Sequence, residues 1–351
     1  MKVNGQPDVP RRILSKQSGP KDTISSEPEA FDTFQSSQQS FPSCIIQGEE
    51  TLSPEQRQFI RSTIDGAVDF FAKNFGEVKR PLVLVVHDTK RALRTGYSVT
   101  EDSINFPPDD TGARPGLKSK DILVHEAFHA LVAQAYPHHT EGKFSRNREY
   151  VRLHEGLADY FTHLLYPDNE FAEGLGEDGK SLRKFRNSRR ISLSPGGHSQ
   201  GNAITSYLLE NKIEPSQVRS FLEGEHFTLQ ALGQTSPELE QALKHDASLS
   251  LKDKVSNYPA SSLRKYRLEQ GKALEVKFEP NKNLKEAHPN LQIEWLTSSG
   301  MPSQTFTFEE VKPFQYSISP RTEEGAEKVL AVFRDGEEII GSRPYYLGTQ
   351  D

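Results

Sequence analysis

KDILVHEAFHALVAQAYP, residues 120–137, is an apolar run into which two histidines and a glutamate are set. Its apolar residues leave no continuous polar face, so a helix made from it is buried nearly all round. Pro137 ends it, and the pattern predicts a helix over about 118–135. On a helix, positions four apart project from one face, one turn above the other. His125 and His129 therefore offer two imidazole nitrogens to a single point. Glu126 is rotated by one residue from His125, so it reaches a water held at that point more readily than the point itself. His-Glu-x-x-His is short enough to arise by chance. Two ordinary core or surface histidines are the plain alternative.

A tetrahedral zinc ion needs a third protein ligand. HEGLADYF, residues 154–161, places Glu155 and Asp159 one turn apart on a second predicted helix, 146–168, that ends at Pro167. The intervening chain is long enough to turn back and lay this helix beside the first. Glu155 then closes the site, and Asp159 on the same face accepts the free N–H of a ligand imidazole. Gly156, Ala158, Ala127 and Ala130 are small and permit close approach of the two helices. The alternative is an exposed acidic pair on a solvated face. His154 competes with Glu155, but it projects about 100° away around the helix, so only one of the two faces the site.

HEAFH followed by EGLAD resembles the gluzincin zinc metallopeptidases, the thermolysin-like and aminopeptidase-like superfamily. Their pattern is His-Glu-x-x-His and then Glu-x-x-x-Asp on the following helix. The resemblance is specific over 121–161 and extends over about 51–246. It implies a zincin-like α+β catalytic domain and a peptide or protein substrate. It also implies zinc held by His125, His129 and Glu155, with Glu126 as general base and Asp159 bonded to a ligand imidazole. His154 departs from the Asn of the thermolysin-like enzymes at that position. The family also takes an oxyanion donor, His or Tyr, from a later segment. PGGHSQGNAITSYLL, residues 195–209, resembles the aminopeptidase-type Tyr-x-x-Gly that opens a helix, with His198 at the Tyr position and Gly201 matching. The alternative is that His198 caps a helix or sits in a loop, while Tyr207 reads as core. In this family an edge strand ahead of the active helix pairs with extended substrate, and SVTEDSINF, 98–106, is the candidate. A zinc amidase acting on a non-peptide substrate and a non-catalytic binding protein on the same fold remain open beside the peptidase.

Outward from the motif, residues 1–50 are rich in Ser, Gln and Pro and read as disordered tail. Order begins at TLSPEQRQFIRS. Ser53 is an N-cap, Pro54 the first helical residue and Gln56 the third position of a capping box. RPLVLVVHDT, 80–89, reads as a buried strand, and GYSVTEDSINFPP, 96–108, as one extended edge piece ended by Pro107. Helical patterns continue to about 246, and 247–268 reads as a polar linker. Over 269–351 the period changes to two, through Leu291, Ile293 and Trp295 and through Val329, Ala331 and Phe333, with a hairpin signal at Asp335-Gly336. This predicts a small β-sandwich.

The chain has 351 residues, a net charge of −6 and 34% hydrophobic residues, with a mean hydropathy of −0.67. That is low for a fully packed globule and agrees with a tail and a linker. No basic stripe is interleaved with aromatics, which argues against nucleic acid. No apolar run is long enough to span a bilayer. MKVNGQPDVPRRILSKQ lacks a secretory apolar core. Cys44 is the only cysteine, so no disulfide staples the chain. These features fit a cytoplasmic protein or leaderless export. Cys44 reads as a free thiol in the tail, with a switch thiolate as the lesser alternative. His138-His139 reads as a solvated turn, and SLRKFRNSRR, 181–190, as a solvated basic face or a contact for an acidic partner. The sequence leaves the oligomeric state open.

Overall fold

Ser53 stops one segment and starts the next. Its side chain accepts from the Gln56 N–H while Gln56 Oε1 accepts from the Ser53 N–H at 2.9 Å, and Pro54 opens helix α1, Pro54–Asn74. From there the computed structural model describes residues 41–88, 95–108, 115–140, 148–175, 180–194, 196–256, 265–268, 273–297, 304–307, 314–317 and 327–349. All of them fall in one contact unit, Ser40–Asp351. The tail over 1–40 lies outside the described residues.

The last part of the expected tail is a strand. β1, Cys44–Gln47, pairs in parallel with β2, Leu82–Val86, and turns Cys44 and Ile46 inward. Four residues carry too little periodicity to stand out from a polar segment, and the strand exists because β2 completes its hydrogen bonds. Cys44 is thus a core residue and not a tail thiol. Burial pushes its thiol up to about 11, which leaves it in the protonated, unreactive form.

The single extended piece expected over 96–108 is instead a hairpin. β3, Gly96–Ser98, and β4, Ser103–Phe106, pair antiparallel around a turn in which Asp102 adopts a φ of 51° and accepts from the Tyr97 hydroxyl at 2.8 Å. The sheet order is β1-β2-β4-β3, so β4 is interior and wholly buried, and only the three residues of β3 lie at the edge.

Helix α2, Lys120–Ala135, lies against α1 beneath this sheet. The short α3, Pro137–Thr140, follows, and then α4, Arg148–Leu165. Rings from α1, α2 and α4 interlock: Phe128 and Phe161 have centroids 4.9 Å apart, and Phe71 and Phe75 close the cluster edge-on. Each such buried side chain contributes roughly 1.5–3 kcal/mol by leaving water. The expected solvated turn at His138-His139 is partly core. His139 is fully buried, with Nε2 2.8 Å from the Leu222 carbonyl.

A two-stranded hairpin follows, β5, Glu170–Phe171, with β6, Arg183–Lys184, and then α5, Gly197–Glu210. Helices α6, Pro215–Glu223, α7, Leu229–Gly233, and α8, Pro237–Ser248, complete the helical part. Gly156 serves α5, not the contact with α2 that its small size suggested. A Cβ at Gly156 would stand 2.8 Å from the Gly201 carbonyl, and one at Gly201 would stand 2.5 Å from Glu155 Cβ.

The expected linker is structured at both ends. β7, Leu251–Ser256, and β8, Lys265–Leu268, are strands, and 257–264 lies outside the described residues. LKDKVS looks too polar for a strand because Asp253 faces inward. Arg343 answers it at 2.6 Å and the Tyr345 hydroxyl at 2.8 Å. The remaining strands are β9, Ala273–Pro280, β10, Leu291–Thr297, β11, Gln304–Thr307, β12, Phe314–Ser317, β13, Glu327–Asp335, and β14, Glu338–Thr349, with helix α9, Lys282–Ala287, after β9. They form two sheets, β11-β10-β13-β14-β8 and β12-β9-β7. Phe278 of one sheet packs edge-on against Phe333 of the other at 5.3 Å. Gly336 takes the left-handed turn position with φ 60°. Leu193 enters this second core from the helical side, where Gly341 leaves it room.

The whole is a mixed helix-and-sheet architecture compatible with the α+β expectation. Among the described residues no helix is long and apolar enough to cross a membrane. Gly201→Ala is expected to destabilise the protein by about 1–3 kcal/mol, because the new methyl meets the Gly156 backbone, which cannot yield as a side chain can. Urea unfolding followed by circular dichroism checks this.

Candidate metal centre

Helix α2 begins at Ser119, whose hydroxyl accepts from the Ile122 N–H. Its apolar residues bury it on every side, and His125 and His129 go inward with them at 3% and 6% exposure. Polar groups so placed need partners. The four-residue spacing brings His125 Nε2 and His129 Nε2 to 3.2 Å from each other. α4 returns alongside, and Glu155 Oε2 stands 3.3 Å from His125 Nε2.

One donor atom from each of His125, His129 and Glu155 lies within 4.8 Å of the other two. A tetrahedral zinc ion with ligands at about 2.0–2.1 Å spaces them roughly 3.3–3.4 Å apart. The two close edges match that spacing. Glu155 Oε2 is buried without an aligned hydrogen-bond donor, although His198 Nδ1 is only 2.7 Å away. A carboxylate oxygen in that condition suits a cation. The residues present therefore fit a metal ion, and two imidazoles with one carboxylate are a donor set of catalytic zinc sites.

Asp159 stands where the helical spacing put it, with Oδ1 2.8 Å from His125 Nδ1. His154 and Glu155 both border the site, but with different tasks. His154 Nδ1 is 3.1 Å from His129 Nδ1, and its Nε2 is 2.5 Å from the Tyr150 hydroxyl. A His129 that presents a bare Nε2 carries its proton on Nδ1 and donates it to His154, which in turn donates from Nε2 to Tyr150. Each imidazole of the pair thus has its own support behind it. Tyr150 was legible in principle, since it precedes His154 by one helical turn.

Glu126 stands outside the trio and accepts from the Tyr97 N–H of β3 at 2.9 Å. Glu126, Tyr97, His129, Glu155 and His198 line a common cavity of about 250 Å³. His198 occupies the first turn of α5 and is largely exposed, with its side chain 73% accessible. Tyr207 is core, as its pattern implied.

The charges settle in a chain. Burial opposes a proton on His125, but the Asp159 and Glu155 carboxylates overcome it and raise its pKa to about 10. Burial and the neighbouring His125 both lower that of His129. Burial likewise holds His154 well below the usual histidine range, which keeps it a neutral acceptor. Burial pushes Glu155 upward, yet His125 and His198 bring it well below its ordinary value. Asp159 is likewise opposed by burial, and Arg183 and His125 bring it to about 2.

Arg183 corrects the reading of 181–190 as a solvated basic face. Its Nε donates to Asp159 Oδ2 at 2.7 Å and its Nη2 donates to Oδ1. Nothing local in SLRKFRNSRR singles it out, because its partner lies on another helix.

No family model matches the chain, and no curated protein matches it. Among solved structures, apo β-glucuronidase 3 of Bacteroides uniformis aligns with 88% of this chain at 9% identity and a TM-score of 0.19, a likeness too slight to carry an argument. This chain spans about half the length of that protein, 49%.

The geometry separates the roles of two adjacent residues. Glu155→Ala is expected to abolish metal retention through dialysis against a chelator, whereas His154→Ala weakens metal affinity by about 10–100-fold, the usual cost of losing a group behind a ligand. Elemental analysis and chelator competition measure both.

Proposed function

We propose that this chain is a zinc-dependent peptidase of gluzincin type, with a zincin-like catalytic region over about 51–246. One observation carries the reading. The donor atoms of His125, His129 and Glu155 lie within 4.8 Å of one another, while Glu126 is held beside them at the wall of the same cavity. A purely structural zinc site has no use for that unligated carboxylate. The support is chemical and geometric, and it rests on no relative.

His125, His129 and Glu155 would hold the zinc, which would supply Lewis-acid chemistry for acidifying water and polarising a carbonyl. Glu126 takes the proton of the attacking water and passes it to the departing amine. The Tyr97 N–H holds the carboxylate in place for both transfers. His198 Nδ1 rests on Glu155, so Nε2 is the ring nitrogen left to donate to a developing oxyanion. β3 is the edge strand, and the same Tyr97 links it to Glu126. An extended peptide lying along β3 by strand addition passes the base.

The test pairs elemental analysis of the purified protein with cleavage of a peptide library. Wild type and Glu126→Gln are both expected to hold one zinc per chain, and the variant to cleave about 10²–10⁴-fold more slowly. A wild type without stoichiometric zinc sinks the proposal. Zinc without cleavage by either protein makes the chain a binding protein. His198→Ala is expected to keep its zinc and lose about 10²–10³-fold in kcat; unchanged turnover removes His198 from the machinery.

A further inference from the structure

The hairpin of β5 and β6 lies against the site without contributing a ligand. Asp121, in the first turn of α2, accepts from the Ala172 N–H through Oδ2 at 2.7 Å. Ala172 holds a φ of 53°, a conformation that alanine keeps only where its surroundings enforce it. On the other arm, Asn202 of α5 donates from Nδ2 to the Lys184 carbonyl at 2.8 Å, and the Phe185 N–H donates to the Asn169 carbonyl at 3.1 Å. The hairpin is thereby fastened to both α2 and α5, and it carries one cation inward.

That cation is Arg183. Its guanidinium lies 3.8 Å from the centre of the Phe171 ring, and Phe171 in turn meets His125 edge-on at 5.5 Å. Both oxygens of Asp159 are gripped from one side, Oδ2 by Nε and Oδ1 by Nη2, while Oδ1 also faces His125 Nδ1 at 2.8 Å. A planar fork on a carboxylate fixes the plane of that carboxylate, not merely its place. The plane of Asp159 directs the imidazole of His125, and the imidazole directs Nε2 toward His129 and Glu155.

We propose that Arg183 is a positioning residue of the metal centre: clamped on Phe171 by the hairpin, it orients Asp159, and through Asp159 it aims His125 at the ion. The inference rests on the zinc reading above and extends it to a residue that touches neither ion nor substrate. A lysine supplies the charge but not the fork, so Arg183→Lys restores only part of what Arg183→Met removes.

The test is zinc affinity by chelator competition, joined to the visible spectrum of the cobalt-substituted protein, which reports ligand geometry. Arg183→Met is expected to weaken zinc binding about 10–100-fold and to alter the cobalt spectrum. Arg183→Lys is expected to fall between it and wild type. Asp159→Asn should match Arg183→Met, and the double variant should be no worse than Asp159→Asn alone, since one residue acts through the other. Lys184→Ala on the same hairpin, with its side chain 63% exposed, should change neither reading. Thermal melts of each variant show that it is folded. Wild-type affinity and spectrum in folded Arg183→Met overturn the proposal, as do additive losses in the double variant. A wild type that binds neither zinc nor cobalt fails the zinc reading itself, which is a separate outcome.

Discussion

The contact between His125 and Asp159 sets the terms for the rest of the site. Asp159 is 1% exposed and His125 3%, and an isolated carboxylate at such depth costs far more than a packed apolar residue. It is tolerated because two cationic or hydrogen-bonding groups converge on it, His125 from α2 and Arg183 from the hairpin. Each of these comes from a different stretch of chain. The buried charge is thus a condition on the tertiary structure. α2, α4 and the β5–β6 hairpin must all arrive for it to be met.

The apolar frame makes that arrival precise enough to matter. The phenyl rings of α1, α2 and α4 lock the helices on one side, and on the other α4 and α5 meet at Gly156 and Gly201. The second contact has a direct consequence for the centre. Gly201 faces Glu155 itself, so the closeness of α5 is what sets the Glu155 carboxylate in its place and puts His198 beside it. Packing in protein interiors is dense, so a methyl added there moves backbone.

The region of the two C-terminal sheets is joined to this frame through its core. Leu193 leaves the helical part to pack among the core residues of those sheets, and Gly341 lets it approach. The Arg190 N–H donates to the Ile340 carbonyl at 2.8 Å beside it. The pairing of Asp253 with Arg343 and Tyr345 repeats, at a distance from the candidate metal centre, the same rule of a charge admitted to an interior only with its partners.

Periodicity alone determined much of what matters here. The four-residue spacing of His125 and His129, and of Glu155 and Asp159, is local geometry, and a helix obeys it wherever it lies. The capping box at Ser53 and the turn at Gly336 were legible for the same reason. The tertiary structure decided what depends on separate segments meeting. β1 is a strand because β2 borders it, and β7 is one because Arg343 neutralises Asp253. Arg183 reaches Asp159 because a hairpin delivers it, and His154 stands behind His129 because α4 packs against α2, with Tyr150 one turn earlier on α4 backing His154 in turn. A sequence displays its own spacing along the chain. It does not display which buried charge on one segment will be answered by which partner on another, because that pairing is fixed by the free energy of burying both together.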